Sequence, residues 1–406
     1  MRLVILGGSA SSTPELFDAL SAWPGGWERR PNLTVVLVGR DEAKLELVAR
    51  GCRARPIGPG APVAVEIETN RRRALEGADV ILNQVRIGGL AARAFDESFP
   101  RDFGLPGEET MGPGGFANAL RTVPALRAIW ADVAAIAPAA LVVNLTNPAG
   151  IVQQAAVAEW PLRILSVCDS PVAFVGAVAA RLGQPVAEVQ RRYVGMNHLG
   201  WYVPESPDQL AELADLATGM GPEEVRLHQA LPAPYVRYYV HPDRILESQR
   251  GKDTRAQALQ RLEAKLLAGY RDRPAADLPR RGAVWYRLAV LPLVDAWLHG
   301  SGDPVLAGAP NDGRLPGIPD SVVLELPHVA ARPGELAPLD PILPTGIPAS
   351  LLHQQGAYET LTVAALRPGA DPDAQLRALV ANPMVRSFDQ ARALLARIEQ
   401  SMPVRP

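Results

Sequence analysis

Short, almost wholly apolar runs recur through the first 170 residues, each ended by a turn and most followed by a stretch of helical spacing. RLVIL (2–6) has the pattern of a strand buried on both faces, and Gly7, Gly8 and Ser9 break it. Thr13 followed by Pro14 predicts a helix opening there, with a capping residue and a proline in the first turn. LTVVLV (33–38), ADVILN (78–83), LVVNLT (141–146) and RILSV (163–167) repeat the theme, which is the rhythm of βαβ units and predicts a doubly wound parallel sheet, an α/β Rossmann-like fold. Beyond residue 170 the pattern changes. Strand-like YVGMNHLGWYV (193–203) and SVVLELPHV (321–329) mix with helical stretches at 254–271, 284–298 and 350–366, so an α+β second domain is expected. The division is placed at residue 168, with 1–168 as the nucleotide-binding part and 169–406 as the part for substrate, metal and oligomerisation.

Composition removes several function classes. A net charge of -2 over 406 residues offers no basic field for nucleic acid or an anionic membrane. The opening MRLVILGGS has an apolar run too short for a signal peptide or a membrane span, so a cytoplasmic protein is expected. Cys52 and Cys168 are the only cysteines, and two so far apart form no disulfide framework.

In a parallel sheet the first strand-to-helix turn is where pyrophosphate docks, which makes Gly7, Gly8 and Ser9 of GGSASST candidate cofactor-binding residues. The turn lacks strict GxGxxG spacing and is equally readable as a structural glycine turn. At the end of the second run, where an acid usually receives the adenosine ribose, the chain reads Val38, Gly39, Arg40, Asp41. Arg40 is suited to stack on adenine or to face a 2′-phosphate; NAD is the default expectation and NADP stays open. Cys168 ends a strand-like run, with Asp169 next, at the edge where such sheets bind ligands. Asn197 and His198 interrupt GMNHLGWY, and a cysteine with a histidine can supply two ligands to a divalent metal, although a free cysteine at a strand end is usually a small buried hydrophobe and a lone histidine usually a structural one. PYVRYYV (234–240) is expected to be helical, with Tyr235, Tyr238 and Tyr239 on one face and Arg237 beside them, either an aromatic core stripe, the more common outcome, or a place where arginine helps hold a phenolate or a substrate anion. Lys252 and Arg255 begin a predicted helix, an unfavourable place for cations unless an anion is near. Finally, GEETMGPGGFANALRT (107–122) puts Glu108 and Glu109 ahead of three glycines; the glycines are expected to let the chain turn without side chains obstructing a ligand.

Taken in order, GGSASSTPEL, QVRIGG, GEETMGPGGFANALRT, LTNPAGI, VCDSP, GMNHLGW and PYVRYY resemble the NAD- and metal-dependent glycosidases of glycoside hydrolase family four, and PNDG (310–313) with ANPMVRSFDQARALL (381–395) extends the likeness over nearly the whole chain. The resemblance implies a lactate/malate-dehydrogenase-like domain and cleavage of a 6-phosphorylated glycoside by oxidation at C3, elimination, water addition and re-reduction, without the usual carboxylate pair. It implies Cys168 and His198 as ligands of Mn2+ or another divalent metal, and Tyr235 as the base for the C2 proton. Glu109 would strengthen that base, Asp169 would be the general acid, and Arg86, Asn147 and Asn197 would hold the sugar. The base needs a depressed phenol pKa, expected from the metal and neighbouring arginines. A homodimer or homotetramer is implied as well.

Three departures stand out: Glu108 where the family usually has glutamine, GGSAS for GGGS, and no acid ending the second strand. RLEAKLLAGYRD resembles the β-type branch, so a β-glycoside is expected, with an α-glycoside or an unphosphorylated glycoside as alternatives. A hydroxy-acid or sugar dehydrogenase and a catalytically inert sugar-binding protein are the rival classes.

Overall fold

A computed structural model describes residues 1–23, 32–57, 63–300 and 302–401. The apolar runs become β1 (Arg2–Leu6), β2 (Leu33–Val38), β3 (Val63–Glu68), β4 (Val80–Asn83), β5 (Leu141–Asn144) and β6 (Arg163–Ser166). They form one parallel sheet in the order β3-β2-β1-β4-β5-β6. That is the dinucleotide-fold order, with the strand order reversing beside β1.

Alternation along the strands explains why both faces are covered. In β1, Val4 and Leu6 enter one hydrophobic cluster while Leu3 and Ile5 enter the other. Ile5 is fully buried, worth about 1.5–3 kcal/mol relative to exposure. The first cluster is closed by the helix Gly112–Ile136, the second partly by residues from far along the chain, Tyr286, Val290, Leu293 and Val294.

The later strands make a second sheet: β7 (Tyr193–Met196), β8 (Leu199–Tyr202), β9 (Leu231–Pro232), β10 (Val305–Pro310), β11 (Val323–Arg332) and β12 (Glu335–Pro338). Its order is β10-β11-β7-β8-β9 with β12 beside β11, and the pairings are antiparallel. The three helices expected from periodicity lie at Arg255–Asp272, at Leu291–His299 preceded by a π-helical turn at Tyr286–Val290, and at Gly346–Ala365. Among the described residues no helix is long and apolar enough to cross a membrane.

Two local expectations differ. Thr13 does precede the helix Pro14–Ser21, but its side chain does not cap it; the hydroxyl accepts from Gln84 Nε2 at 3.1 Å. The tyrosine segment is not one helix. A turn carries Tyr235, and only Arg237–Val240 is helical, because the chain has just left β9 and closes with Val236 N donating to the Ala233 carbonyl.

Candidate active site

A cavity of about 820 Å³ opens at the carboxyl ends of the parallel strands. Gly7, Ser9 and Arg40 line one end, and Arg86, Glu109, Asn147, Cys168, Asp169, His198 and Tyr235 line the other. Gly8 and Asn197 are off the wall among the described residues. Gly8 gives its N–H to the Val38 carbonyl at 2.8 Å, and a Cβ on it would lie 2.7 Å from Leu37 Cα, so its role is close packing of the turn on β2.

The acidic loop is held by its surroundings. Glu109 is buried between the guanidinium groups of Arg86 and Arg93, the latter 2.9 Å away. Burial alone would raise its carboxyl, but Arg86 and Arg93 outweigh it and hold the group down at about 2. Glu108 has the opposite fate. Burial and then the charge of Glu109 push it up to about 7, although its Oε2 accepts from the backbone of Thr110 and Met111. Contrary to the expectation from the sequence, the glycines after it do not line the cavity and pack against protein atoms instead. A Cβ at Gly114 would lie 2.1 Å from the Glu108 carbonyl and 2.3 Å from that of Asp96, so these residues let the helix start pack against the acidic loop itself.

His198 follows β7 in the tight connection to β8, with a left-handed φ of 62°. Its Nδ1 is buried with no hydrogen-bond partner among the described residues, and burial pulls the imidazole down to about 4, so the ring is neutral with a free lone pair. The Tyr235 ring stacks on it. Cys168 precedes the helix Asp169–Leu182, and burial, then Glu325, push its thiol upward. A neutral imidazole with an unused nitrogen and a soft thiol fit a divalent cation as two ligands. No group of three or more His, Cys, Asp or Glu positioned for a metal occurs among the described residues, so the remaining positions fall to substrate or water.

The phenol of Tyr235 is raised, not lowered, by the chain's own groups: by burial first, then by Glu108 and Cys168. A cation bound beside it would bring it down. The acids that bear on Tyr235 are Glu108 first and Asp169 more weakly, whereas Glu109 bears on His198. Tyr238 lies 5.9 Å from Tyr235 between ring centroids, but Tyr239 turns toward Gln355, so the three tyrosines do not share a face. Asp169 is raised by burial, against the lowering effect of a backbone hydrogen bond and of Arg281.

Three residues at the site have no mark in the sequence. Arg93 bridges Glu97 and Glu109; Asn118 Nδ2 donates to the carbonyls of Glu109 and Asn147, tying the acidic loop to the TNP turn. Arg281 lines the cavity 4.6 Å from the Trp285 ring centre; burial, then Arg93 and Arg86, bring it down to about 10. Arg86 and Arg93 are paired with Glu109 and Glu97, whereas Arg281 has no carboxylate within ion-pair range among the described residues, which suits an anionic ligand. Lys252, by contrast, does not line the cavity, while Arg255 does.

This chain is similar to known proteins along its length. It is 29% identical over 426 residues to the probable 6-phospho-beta-glucosidase of Bacillus subtilis (strain 168), covering 97% of this chain and 95% of that one. A structure of the 6-phospho-beta glucosidase from Thermotoga maritima with NAD and glucose-6-phosphate superposes with a TM-score of 0.87 at 26% identity, covering 98% of each chain. The malate dehydrogenase of Naegleria fowleri, at 14% identity and TM-score 0.53 over 90% of this chain and 98% of that one, shares the fold alone. The family models described as "Family 4 glycosyl hydrolase" and "Family 4 glycosyl hydrolase C-terminal domain" match residues 2–184 and 193–385, so the chain belongs to family 4 of the glycosyl hydrolases.

Proposed function

We propose that this protein hydrolyses a 6-phosphorylated β-glycoside. The observation that carries the reading is a single cavity joining a dinucleotide-type glycine turn to Cys168, His198, Tyr235 and Glu109. Gly7 and Ser9, which line the cavity at the carboxyl end of β1, would receive the phosphates of NAD, and the unused His198 Nδ1 with the Cys168 thiol would hold the divalent metal, manganese by the family resemblance. When bound, NAD supplies a reversible hydride acceptor for C3 and the metal polarises the sugar's oxygens. The chain does the rest. Tyr235 takes the proton from C2, and Asp169, its carboxyl raised by burial, gives one to the departing oxygen. Arg86 and Asn147 orient the sugar, and the surplus guanidinium charge at Arg281 suits its phosphate.

Residues 1–168 as dinucleotide domain and 169–406 as substrate domain, a cytoplasmic location and a homodimer or homotetramer complete the proposal. A hydroxy-acid dehydrogenase reading is disfavoured because His198 stacks on a tyrosine instead of pairing with a carboxylate. The test is a panel of nitrophenyl glycosides, phosphorylated or plain and α or β, with NAD, Mn2+ and thiol. Release from the 6-phospho-β-glycoside is expected. Release only from plain glycosides would remove the phosphate from the proposal, and release only from α-glycosides would reverse the anomer.

A further inference from the structure

We infer that the adenosine end of the cavity selects a dinucleotide carrying a 2′-phosphate, so that this protein binds NADP more tightly than NAD; this rests on the reading of the cavity as a dinucleotide site. An acid at the end of β2 accepts from the ribose hydroxyls and repels a 2′-phosphate. Here that position is Gly39, which lines the cavity and presents no side chain. It faces the glycine turn, since a Cβ on it would lie 3.3 Å from Ser9 Oγ and 3.2 Å from the Leu45 side chain.

Neighbouring acids do not take over. Asp41 accepts from Lys44 N at 3.0 Å, capping the helix Glu42–Arg53, and it does not line the cavity. Glu68, ending β3, is also off the wall; it accepts from Asn70 N at 2.8 Å and lies 3.5 Å from Arg73. Glu263 does line the cavity, but Lys44 neutralises it at 3.1 Å. Of the cations at this end, Lys44 is thus engaged, and Arg71 is paired with Asp132. Arg40 is exposed at the rim and makes no ion pair or hydrogen bond among the described residues. A planar guanidinium with all its donors free, beside a position emptied of its acid, is what a phosphate monoester on the ribose needs. Thr69, also on the wall, adds a hydroxyl.

Titration calorimetry with NADPH and NADH on the intact protein and on Arg40→Ala and Gly39→Asp tests this without recourse to turnover. Wild type is expected to bind NADPH roughly tenfold or more tightly than NADH, about one charge-assisted hydrogen bond's worth. Arg40→Ala should weaken NADPH by about tenfold and NADH by less than twofold. Gly39→Asp should turn the preference toward NADH; if that side chain is too crowded to fold, Arg40→Ala decides alone. Tighter binding of NADH by wild type, or an equal loss of both dinucleotides in Arg40→Ala, overturns the inference and leaves the dinucleotide site standing. Binding of neither by a folded wild type would overturn the site itself and the inference with it.

Discussion

The ring of Tyr235 lies flat on the imidazole of His198, 3.9 Å between centroids and 3° between planes. The proposed base and a proposed metal ligand therefore share one stacked unit, and each fixes the other's orientation. Whatever binds the imidazole is felt by the phenol. This coupling sets the first prediction. Tyr235→Phe keeps the stack and deletes only the hydroxyl, so thermal stability should stay within about 1 kcal/mol while turnover falls by roughly 10²-fold or more. Bound NAD should still be reduced on adding substrate, because hydride leaves C3 before the C2 proton is removed. Normal entry of solvent deuterium at C2 in this variant would place the base elsewhere, with Tyr238 next in line.

His198→Ala removes the free Nδ1 lone pair and the stacking partner together. Metal content measured by elemental analysis after Mn2+ loading should fall from one ion per chain toward zero, and metal-dependent turnover should vanish with the far-ultraviolet spectrum unchanged. A full complement of tightly bound metal in this variant would rule out the ligand assignment.

Glu109→Gln removes the counter-charge of Arg86 and leaves Arg93 with Glu97 alone. Urea unfolding at pH 7 should show a loss of roughly 3–5 kcal/mol. Because the folded carboxyl sits at about 2, below its ordinary value of 4.5, its stabilisation is complete above pH 4.5 and fades as the pH falls toward 2. The gap between wild type and variant should accordingly narrow on acidification.

Glu108→Gln works with the opposite sign. A carboxyl raised to about 7 holds its proton in the folded state through a range where the unfolded chain has lost it, so wild-type stability falls between about pH 4.5 and 7. The glutamine keeps an acceptor for the Thr110 and Met111 N–H groups but does not titrate. Its advantage over wild type should be small at pH 5 and grow to roughly 1–3 kcal/mol at pH 8. A pH-independent difference would show that the Glu108 charge is not the cause.

The parallel sheet was legible because its code is local: apolar runs of strand length, a glycine break after the first, and helical spacing between them. Cys168 and His198 were legible as types at a strand end and in a hairpin turn. Other features were hidden for physical reasons. Arg93 reads as an ordinary surface partner of Glu97 four residues on, and only tertiary packing brings it to Glu109. Arg281 sits in a proline- and arginine-rich stretch with no periodicity, and its place is set by Glu15, whose carboxylate accepts from the backbone of Arg281 and Ala283 at 2.7 Å each. The tyrosine cluster was misread as a helix face because spacing says nothing of a turn closed by backbone bonds after β9. The glycines of GPGG were expected to keep side chains away from a ligand, whereas Gly114 and Gly115 face backbone carbonyls and Gly112 faces the Met384 side chain.

The same Glu15 bonds, with Tyr270 Oη donating to the Ser11 carbonyl at 2.7 Å, join residues separated by 266, 268 and 259 positions. The cavity wall beside the first glycine turn is thus finished by chain synthesised long after that turn has left the ribosome. Contacts of such span close late, since the entropy of a long loop must be overcome before they contribute. A nascent chain would carry an assembled parallel sheet and an open crevice from the emergence of β6, which ends at Ser166, and cofactor would find its full site only once residue 286 had emerged and Tyr286 Oη had reached Gln84.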